Sequence, residues 1–454
     1  MKSIDIYENI KYLRVFNELN VEINCVSIDT RKIQENDLYI GIKGEKYNGN
    51  LFYKDAFEKG AVLAVLDEFD ETDEIKDYLK ENKKSIILVK DSVLALGELA
   101  KYKRSLFKKP VVAITGSAGK TSTKDMIYSV LNESFNAHKT IGNQNNHIGL
   151  PLTILSMDDK NDILVIEMGM NHLKEISYLT NIAKPDVAVI TNVGSAHIGL
   201  LGSRENILKA KLEILEGLNE TGTLVINNDN DLLHEWYLQN KNNYNIKTFG
   251  FINKSDYFAN SIIEEENSSE FTCNGTKIKV PMGGEHFIYN ALAALSVGNI
   301  FNVPNDKIQK GITNFELSRN RMNIIKNVET NITVIDDCYN SNFDSLSYSI
   351  KYLSTLHGRR IAVLGSMLEL GSYSVELHSN IGELIAKEGI DILITVGNYT
   401  EYINDLAIKL GLPLTNSYHF SNNIDAIEKI NSIKTSGDKI LVKASLMLNF
   451  KEIV

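Results

Sequence analysis

The feature that most constrains this chain is a recurring short run of β-branched and other apolar residues with no polar residue alternating inside it. VVAIT at Val111, ILVIEM at Ile163, VAVITNV at Val187 and LVINND at Leu224 form one group. ITVIDDC at Ile332, RIAVLGSM at Arg360, ILITVGN at Ile392 and KILVKAS at Lys439 form a second. A strand with one wet face would show a polar residue at every second position. Strands without that alternation are buried on both faces, as in a mostly parallel sheet covered by helices. Helical patterns separate the runs, so the spacing predicts an α/β chain with two such sheets.

A chain of 454 residues has room for about three domains at roughly 150 residues each. Residues 1–107 read as a small α/β domain. AVLAVLDEF at Ala61 and SIILVK before Asp91 are its strand-like runs, and a helical pattern through Val93, Leu94, Leu96, Leu99 and Ala100 leads out of it. Lys108-Lys109-Pro110 interrupts that helix. Residues 108–325 form the next domain, in which the polar, alternating stretch from Lys247 to Pro281 predicts added antiparallel strands. HFIYNALAALSVGNIF from His286 is a strongly apolar helix. Residues 326–454 repeat the strand–helix logic as a third domain.

Composition narrows the function classes. The chain is 43% hydrophobic and 23% charged, too apolar for disorder. Its formal charge of −10 offers no basic excess for nucleic acid. The apolar runs are strand-sized, so no membrane span is expected. MKSIDIYENI has early acids and no apolar core, unlike a signal peptide. Cys25, Cys273 and Cys338 match no metal or redox spacing, which fits a reducing cytoplasm.

The sharpest local motif is AITGSAGKTSTKDMI. A strand over Val111–Thr115 runs into a turn of Gly116, Ser117, Ala118 and Gly119. Lys120, Thr121 and Ser122 then open a helix. Glycines let backbone N–H groups point inward, and the helix N-terminus adds partial positive charge. Such a loop cradles a triphosphate, with Lys120 on the β- and γ-phosphates and the Thr121 hydroxyl on Mg²⁺.

Further candidates follow the next strands, where ligands gather in open parallel sheets. Glu167 ends ILVIEM and is placed to hold Mg²⁺. His197 lies beyond VAVITNV and is a possible metal ligand. Lys209 and Lys211, two apart, point to different helix faces. Either one binds nucleotide, carries a carbamate made from CO₂, or is a solvated surface lysine. In the last domain Asp336 and Asp337 end a strand, followed by Tyr339, Asn340 and Asn342. Asp337 could fix a ribose hydroxyl or a magnesium-bound water, or the pair could cap a helix. Arg321, at the domain junction, could meet a γ-phosphate.

Together these residues resemble the Mur ligase family, the ATP-dependent amide-forming enzymes of peptidoglycan assembly. The resemblance runs over essentially the whole chain. SIDTRKIQENDLYIGIKGEKYNG is similar to the family's UDP-handling domain. TGSAGKTSTK, TIGNQNNHIGLPLT, EMGMNH, TNVGSAHIGLLGS, KAKLEI and GGEHFIYNALAAL follow, then DDCYNSN and LGSMLELG. EMGMNH and DDCYN point, within the family, to the activity that adds a dipeptide. The implied fold is three-domain α/β: a small N-terminal domain, a central P-loop ATPase-like domain with a mostly parallel sheet, and a C-terminal Rossmann-like domain that closes on ATP.

The implied reaction joins D-alanyl-D-alanine to the terminal carboxylate of a UDP-N-acetylmuramoyl-tripeptide through an acyl phosphate. The resemblance implies ATP and two Mg²⁺ ions, held by Thr121, Glu167, His197 and Lys211. Lys211, rather than Lys209, takes the place of the N6-carboxylated lysine. Asn290 is implied as the adenine contact, and Asn143 and Asn146 as residues lining the nucleotide-sugar substrate. Ser27, Thr30, Arg31, Lys43 and Gly44 match the uridine-diphosphate end. Arg321, Asp336, Asp337, Tyr339 and Asn340 match the ATP-facing wall. A cytoplasmic monomer with no nucleic-acid or integral membrane contact is expected.

Some positions depart from the family pattern. Lys174 stands where glycine is common, Asn320 precedes Arg321-Met322 in place of glycine, and Phe343 replaces a proline. Ser366 replaces an aspartate, and Ala444 and Leu446 replace a glycine and an arginine. These changes concentrate in the domain that receives the dipeptide. The alternatives are the same mechanism with D-Ala-D-Ser or D-Ala-D-lactate as the amine, a P-loop NTPase driving motion or regulation, and an inactive scaffold paralogue.

Overall fold

A computed structural model describes residues 1–318 and 321–454. Asn320, the first residue of the Asn320-Arg321-Met322 departure, lies outside them. The chain packs as two compact units: residues 1–113, 136–168 and 177–185, and residues 114–135, 169–176 and 186–454. Among the described residues no helix is long and apolar enough to cross a membrane.

The first sheet holds β1 (Arg14–Phe16), β2 (Val26–Ser27), β3 (Leu38–Ile40), β4 (Leu63–Leu66) and β5 (Ser85–Leu88), in the order β1-β5-β4-β3-β2. β2 to β5 are parallel and β1 pairs antiparallel with β5. Both faces are covered. Leu38, Ile40, Leu63 and Val65 pack with Ile6, Leu96 and Leu99 on one side. Tyr39, Ala64, Leu66 and Ile86 pack with Phe57 and Leu79 on the other. The helix Ser92–Leu106 starts where Asp91 accepts from the N–H groups of Val93 and Leu94, a side-chain cap for two orphan donors.

The second sheet comprises β6 (Val111–Thr115), β7 (Ala137–Lys139), β8 (Ile163–Glu167), β9 (Val187–Ile190), β10 (Thr223–Asn227), β11 (Asn245–Gly250), β12 (Tyr257–Glu265), β13 (Ser268–Cys273) and β14 (Thr276–Val280). Its order is β14-β13-β12-β11-β10-β9-β6-β8-β7. β6, β8, β9 and β10 are buried at every residue, which is why their sequences show no alternation. β9 to β12 are parallel, while β12, β13 and β14 pair antiparallel. The stretch from Lys247 therefore begins inside a parallel strand and turns antiparallel only after β12. Asn274 and Gly275, both at positive φ, form the tight turn between β13 and β14, the Asn-Gly pairing that two-residue hairpins favour.

The third sheet holds β15 (Asn323–Asn327), β16 (Ile332–Asp336), β17 (Arg360–Gly365), β18 (Ile392–Val396), β19 (Ser417–Phe420) and β20 (Lys439–Lys443), ordered β15-β16-β20-β17-β18-β19. Only β15, at the edge, is antiparallel. One core packs Ile361, Val363, Ile394 and Val442 against Ala426, Ile430 and Phe450.

The helix Lys120–Asn132, which follows β6, is held by two glycines on neighbouring helices. A β-carbon at Gly311 would sit 2.5 Å from Val130 Cα, and one at Gly298 would sit 2.9 Å from Val130 Cγ1. The first clash is with backbone, so no rotamer change relieves it. Gly311→Ala is expected to destabilise the fold by about 1–3 kcal/mol, the usual cost of overpacking. Urea unfolding of the variant checks this, and an unchanged midpoint would contradict it.

Candidate active site

The turn after β6 is shaped by β9 beside it. Gly116 has φ +156, and a β-carbon there would lie 1.9 Å from Thr191 Oγ1. Gly119, at φ +77, is the N-cap of the helix Lys120–Asn132. The N–H groups of Ser117 and Ala118 both donate to Asn192 Oδ1, at 3.0 and 2.8 Å. Thr191 Oγ1 donates to Ala118 O at 2.6 Å, and Gly194 N donates to Ser117 Oγ at 2.9 Å. Successive backbone donors aimed at one oxygen form an anion-binding concavity. Lys120 folds over the same turn, its Nζ 2.8 Å from Gly116 O. Thr121, next in the helix, is buried.

The segment that carries Asn192 also carries His197. His197 has φ +63 and caps the short helix Ile198–Leu201. Its Nδ1 lies 2.5 Å from Glu369 Oε2. That bond holds the Glu369 carboxyl below the usual carboxylate range. Two residues earlier, Ser195 donates through N and Oγ to Asp344 Oδ2, at 2.8 and 3.1 Å. Asn342 Nδ2 donates to Ser117 O at 3.2 Å. The start of the helix Phe343–Thr355 is thereby seated beside the phosphate turn.

The helix Arg204–Leu212 separates the two candidate lysines: Lys209 is exposed and Lys211 is buried. Burial holds the Lys211 ammonium well below the ordinary lysine range, and the charge of Lys120 pushes the same way against Asp344. Desolvation thus favours the neutral amine, which is the form that attacks CO₂.

Asn290 lies on the helix Glu285–Ile300 and reaches the phosphate-loop helix. Thr123 Oγ1 donates to Asn290 Oδ1 at 2.9 Å, while Asn290 Nδ2 is buried and has no partner among the described residues. One turn earlier, His286 Nδ1 is also buried and without a partner among the described residues. Its ring packs 5.6 Å from that of Tyr348. Buried polar groups are nearly always bonded, so two orphans one turn apart mark a place for a polar ligand. Arg321 stacks its guanidinium 3.9 Å over the Tyr339 ring, bringing two of the expected residues together.

Asp337 is differently employed. Its Oδ2 accepts from Lys443 Nζ at 2.5 Å and from Ser349 Oγ at 2.7 Å, and its Oδ1 accepts from Met322 N. Its carboxylate ties β16, β20 and the start of β15 together. Asp336 Oδ1 accepts from Cys338 N. Asn340 contributes its carbonyl to Lys443.

In the first unit, Glu167 is buried at the end of β8. Its N–H donates to Thr140 Oγ1 at 3.0 Å, and Asn145 Nδ2 donates to its Oε1 at 2.8 Å. Asn146 serves its own helix: its Oδ1 accepts from Ile148 N and Gly149 N. Of this asparagine-rich loop, it is Asn145 that meets the acid. Ser27 ends β2 and Thr30 follows it, while Lys43 and Gly44 follow β3, its parallel neighbour. Arg31 makes a two-pronged pair with Asp29 at 2.8 Å, and Lys43 pairs with Glu68. Beside them Tyr47 is 75% exposed and Leu51 74%. Exposed large apolar side chains at a strand's carboxyl edge suit a flat base, and a run such as KYNGNLF signals them weakly.

Sequence reasoning also missed Asn192, Asp344 and Glu369. Among the described residues no three His, Cys, Asp or Glu side chains converge as a metal-ligand group. Magnesium prefers oxygen ligands, and the buried Glu167 carboxylate and Thr121 hydroxyl are donors of that kind.

The description "Mur ligase family, catalytic domain" matches residues 22–104, "Mur ligase middle domain" residues 114–298, and "Mur ligase, glutamate ligase domain" residues 320–446. The UDP-N-acetylmuramoyl-tripeptide–D-alanyl-D-alanine ligase of Bacillus subtilis (strain 168) is 38% identical over 95% of this chain and 92% of its own length. A crystal structure of MurF from Acinetobacter baumannii superposes with a TM-score of 0.88 at 27% identity, over 99% of this chain and 97% of that one. The MurF ligase of Thermotoga maritima in complex with ADP matches with a TM-score of 0.81 at 28% identity, over 94% of this chain and 96% of that one.

The buried His286 gives a pH signature. Desolvation pushes its imidazole down to about 4, against roughly 6.5 in an unfolded chain. The unfolded chain then binds the extra proton first. His286 therefore costs no stability above about pH 6.5, and its contribution is lost as pH falls from there through about 4. Stability measured by denaturant titration is expected to drop across that window by up to roughly 3 kcal/mol. A His286→Gln variant should lose that part of the slope. An identical slope in both proteins would contradict the assignment.

Proposed function

Because the chain belongs to the Mur ligase family, we propose that it joins D-alanyl-D-alanine to the terminal carboxylate of UDP-N-acetylmuramoyl-tripeptide at the expense of ATP, in peptidoglycan precursor synthesis. The observation that carries this reading is the likeness to the Bacillus subtilis ligase over 95% of the chain. The ADP complex of the Thermotoga maritima relative supports ATP as the phosphate donor.

The peptide carboxylate attacks the γ-phosphorus of ATP, and ADP leaves. The neutral amine of the dipeptide then attacks the acyl phosphate carbon and sheds a proton to solvent, the tetrahedral intermediate expels phosphate, and the amide remains. Most of the catalysis in such a transfer is positioning and charge neutralisation. Lys120 takes the phosphate oxygens, joined by the Ser117 and Ala118 N–H groups once a phosphate oxygen displaces Asn192 Oδ1 from them. Arg321, steadied on Tyr339, meets the transferring group, and Asn290 meets the adenine. Thr121, Glu167, His197 and Lys211, the last as its carbamate, would hold two magnesium ions. When bound, magnesium supplies positive charge to phosphate oxygens and lowers their mutual repulsion.

Ser27, Thr30, Arg31, Lys43 and Gly44 take the uridine diphosphate end, and Asn143 and Asn146 line the path of the sugar and peptide. The carbamate forms when neutral Lys211 Nζ bonds to CO₂ and releases a proton. The burial of Lys211 favours that neutral amine. The same reading assigns a single copy of the chain to the cytoplasm, where ATP is available.

Phosphate release assayed across acceptors and amines tests the whole reading. Turnover is expected with both UDP-N-acetylmuramoyl-tripeptide and D-alanyl-D-alanine present, and Lys120→Ala should lower it by at least 10³-fold, roughly 4 kcal/mol. Unchanged turnover in that variant would sink the assignment. Faster turnover with D-Ala-D-Ser or D-Ala-D-lactate would move the amine specificity. Separately, ¹³C NMR in ¹³C-bicarbonate should show a carbamate carbon in the parent chain that Lys211→Gln lacks.

A further inference from the structure

His197 and Glu369 stand 172 residues apart in sequence and meet at 2.5 Å through His197 Nδ1. A carboxylate only accepts hydrogen bonds. Nδ1 must therefore carry the hydrogen in this pair, which leaves the lone pair of a neutral ring on Nε2. An isolated imidazole has no such constraint and divides itself between its two tautomers.

The backbone around the pair is built to hold it. His197 and Glu369 both have φ +63, a conformation that costs side-chain-bearing residues energy and clusters at functional sites. Gly199 N donates to Glu369 O at 3.0 Å. A β-carbon at Gly199 would lie 2.5 Å from Gly371 N, so the two segments touch backbone to backbone. Tyr373 Oη donates to Gly202 O at 2.8 Å. The segment bearing Glu369 is itself anchored. Met367 N donates to His378 Nε2 and Leu368 N to Ser445 Oγ, each at 3.0 Å. A loose surface ion pair would show none of this supporting backbone.

We infer that Glu369 is a positioning residue contributed by the last sheet's domain: it selects the His197 tautomer and ring orientation that present Nε2 to a divalent cation. The inference rests on the reading of His197 as a magnesium ligand. It adds that the ligand is completed only when the segment Met367–Tyr373 sits against the segment Ser195–Gly202. Metal-binding histidines are commonly oriented by a carboxylate on the far ring nitrogen, and loss of such a partner typically weakens metal binding about 10–100-fold.

The test uses the full chain, labelled with ¹⁵N-histidine, and Mn²⁺ as the probe in the presence of a non-hydrolysable ATP analogue. NMR of the metal-free protein reports the His197 tautomer, assigned by its loss in His197→Ala. The parent chain should show Nδ1 protonated. In Glu369→Ala that preference should disappear, and Mn²⁺ affinity by EPR should fall about 10–100-fold. Glu369→Gln, whose amide oxygen still accepts from Nδ1–H, should keep the tautomer and most of the affinity. An unchanged tautomer and affinity in Glu369→Ala overturns the inference. Equal losses in Ala and Gln variants overturn it too, since charge rather than hydrogen-bond acceptance would then be responsible. If Glu369→Ala does not fold, the Gln variant decides by retaining or losing the Nδ1–H signal. Should His197→Ala leave Mn²⁺ binding intact, the metal reading fails instead, and the tautomer measurement still stands by itself.

Discussion

Two amide hydrogens, those of Ser117 and Ala118, point at one oxygen, Asn192 Oδ1. The rest of the second unit's chemistry is arranged around that convergence. It exists because β9 lies beside β6, which puts Thr191 close enough to Gly116 that only a glycine fits. The phosphate turn is therefore shaped by a neighbouring strand as much as by its own glycines. The segment that shapes it continues into Ser195 and His197, which receive Asp344 and Glu369. One stretch of backbone thus ties a phosphate cradle, a candidate metal ligand and the last domain together. A shift in any of them is felt by the others.

Some of this was legible in the amino-acid sequence, and the physical reason is local. Runs such as VVAIT and TLVIN lack alternation because both faces of β6 and β10 are buried. The glycines and lysine of the phosphate turn are neighbours in sequence, so a motif captures them. Asn192, Asp344 and Glu369 have no such signature. Each is a single polar residue in a loop, and Asp344 finds its partner 149 residues away. The residues alone leave Lys209 and Lys211 open and the family pattern favours Lys211; helix phase relative to the core places the first in solvent and the second inside. Asp337 reads in the sequence as a strand-end acid for a ribose hydroxyl, a magnesium-bound water or a helix cap, and its bond to Lys443, on a strand far along the chain, has no local signature.

Departures from the family pattern have local compensations. Lys174 has φ +74, where glycine is easier. Its N–H donates to Glu213 Oε1 at 2.7 Å, which offsets part of the strain. Phe343 opens a helix at the position proline favours. There Asn342 and Ser345 form a reciprocal capping box that fixes the same helix start. Ser366 keeps a polar role by donating to Asn398 O. Leu446 has no such replacement: it is 54% exposed beside Met447 at 87%, so an arginine's charge is absent from the end of β20. The fold absorbs the first three changes, and the fourth leaves an apolar surface at the end of β20.

The chain carries a formal charge of −10, and its last domain brings two more acids, Asp344 and Glu369, to a site that must hold phosphates. The sign looks wrong until each acid is followed to its donor. Asp344 accepts two hydrogen bonds from Ser195 and also opposes the shift of Lys211 away from its charged form. Glu369 accepts a hydrogen bond from His197 Nδ1. Neither carboxylate is left as an unpaired anion facing the turn. At about 4 Å, a bare like-charge contact would cost about 4 kcal/mol in a protein-surface dielectric. An acid already bonded to an N–H or an imidazole presents much less of its field to a phosphate. Net charge therefore says little about which ligand this site takes. The orientation of a handful of donors decides it, and the acids serve by fixing those donors in place.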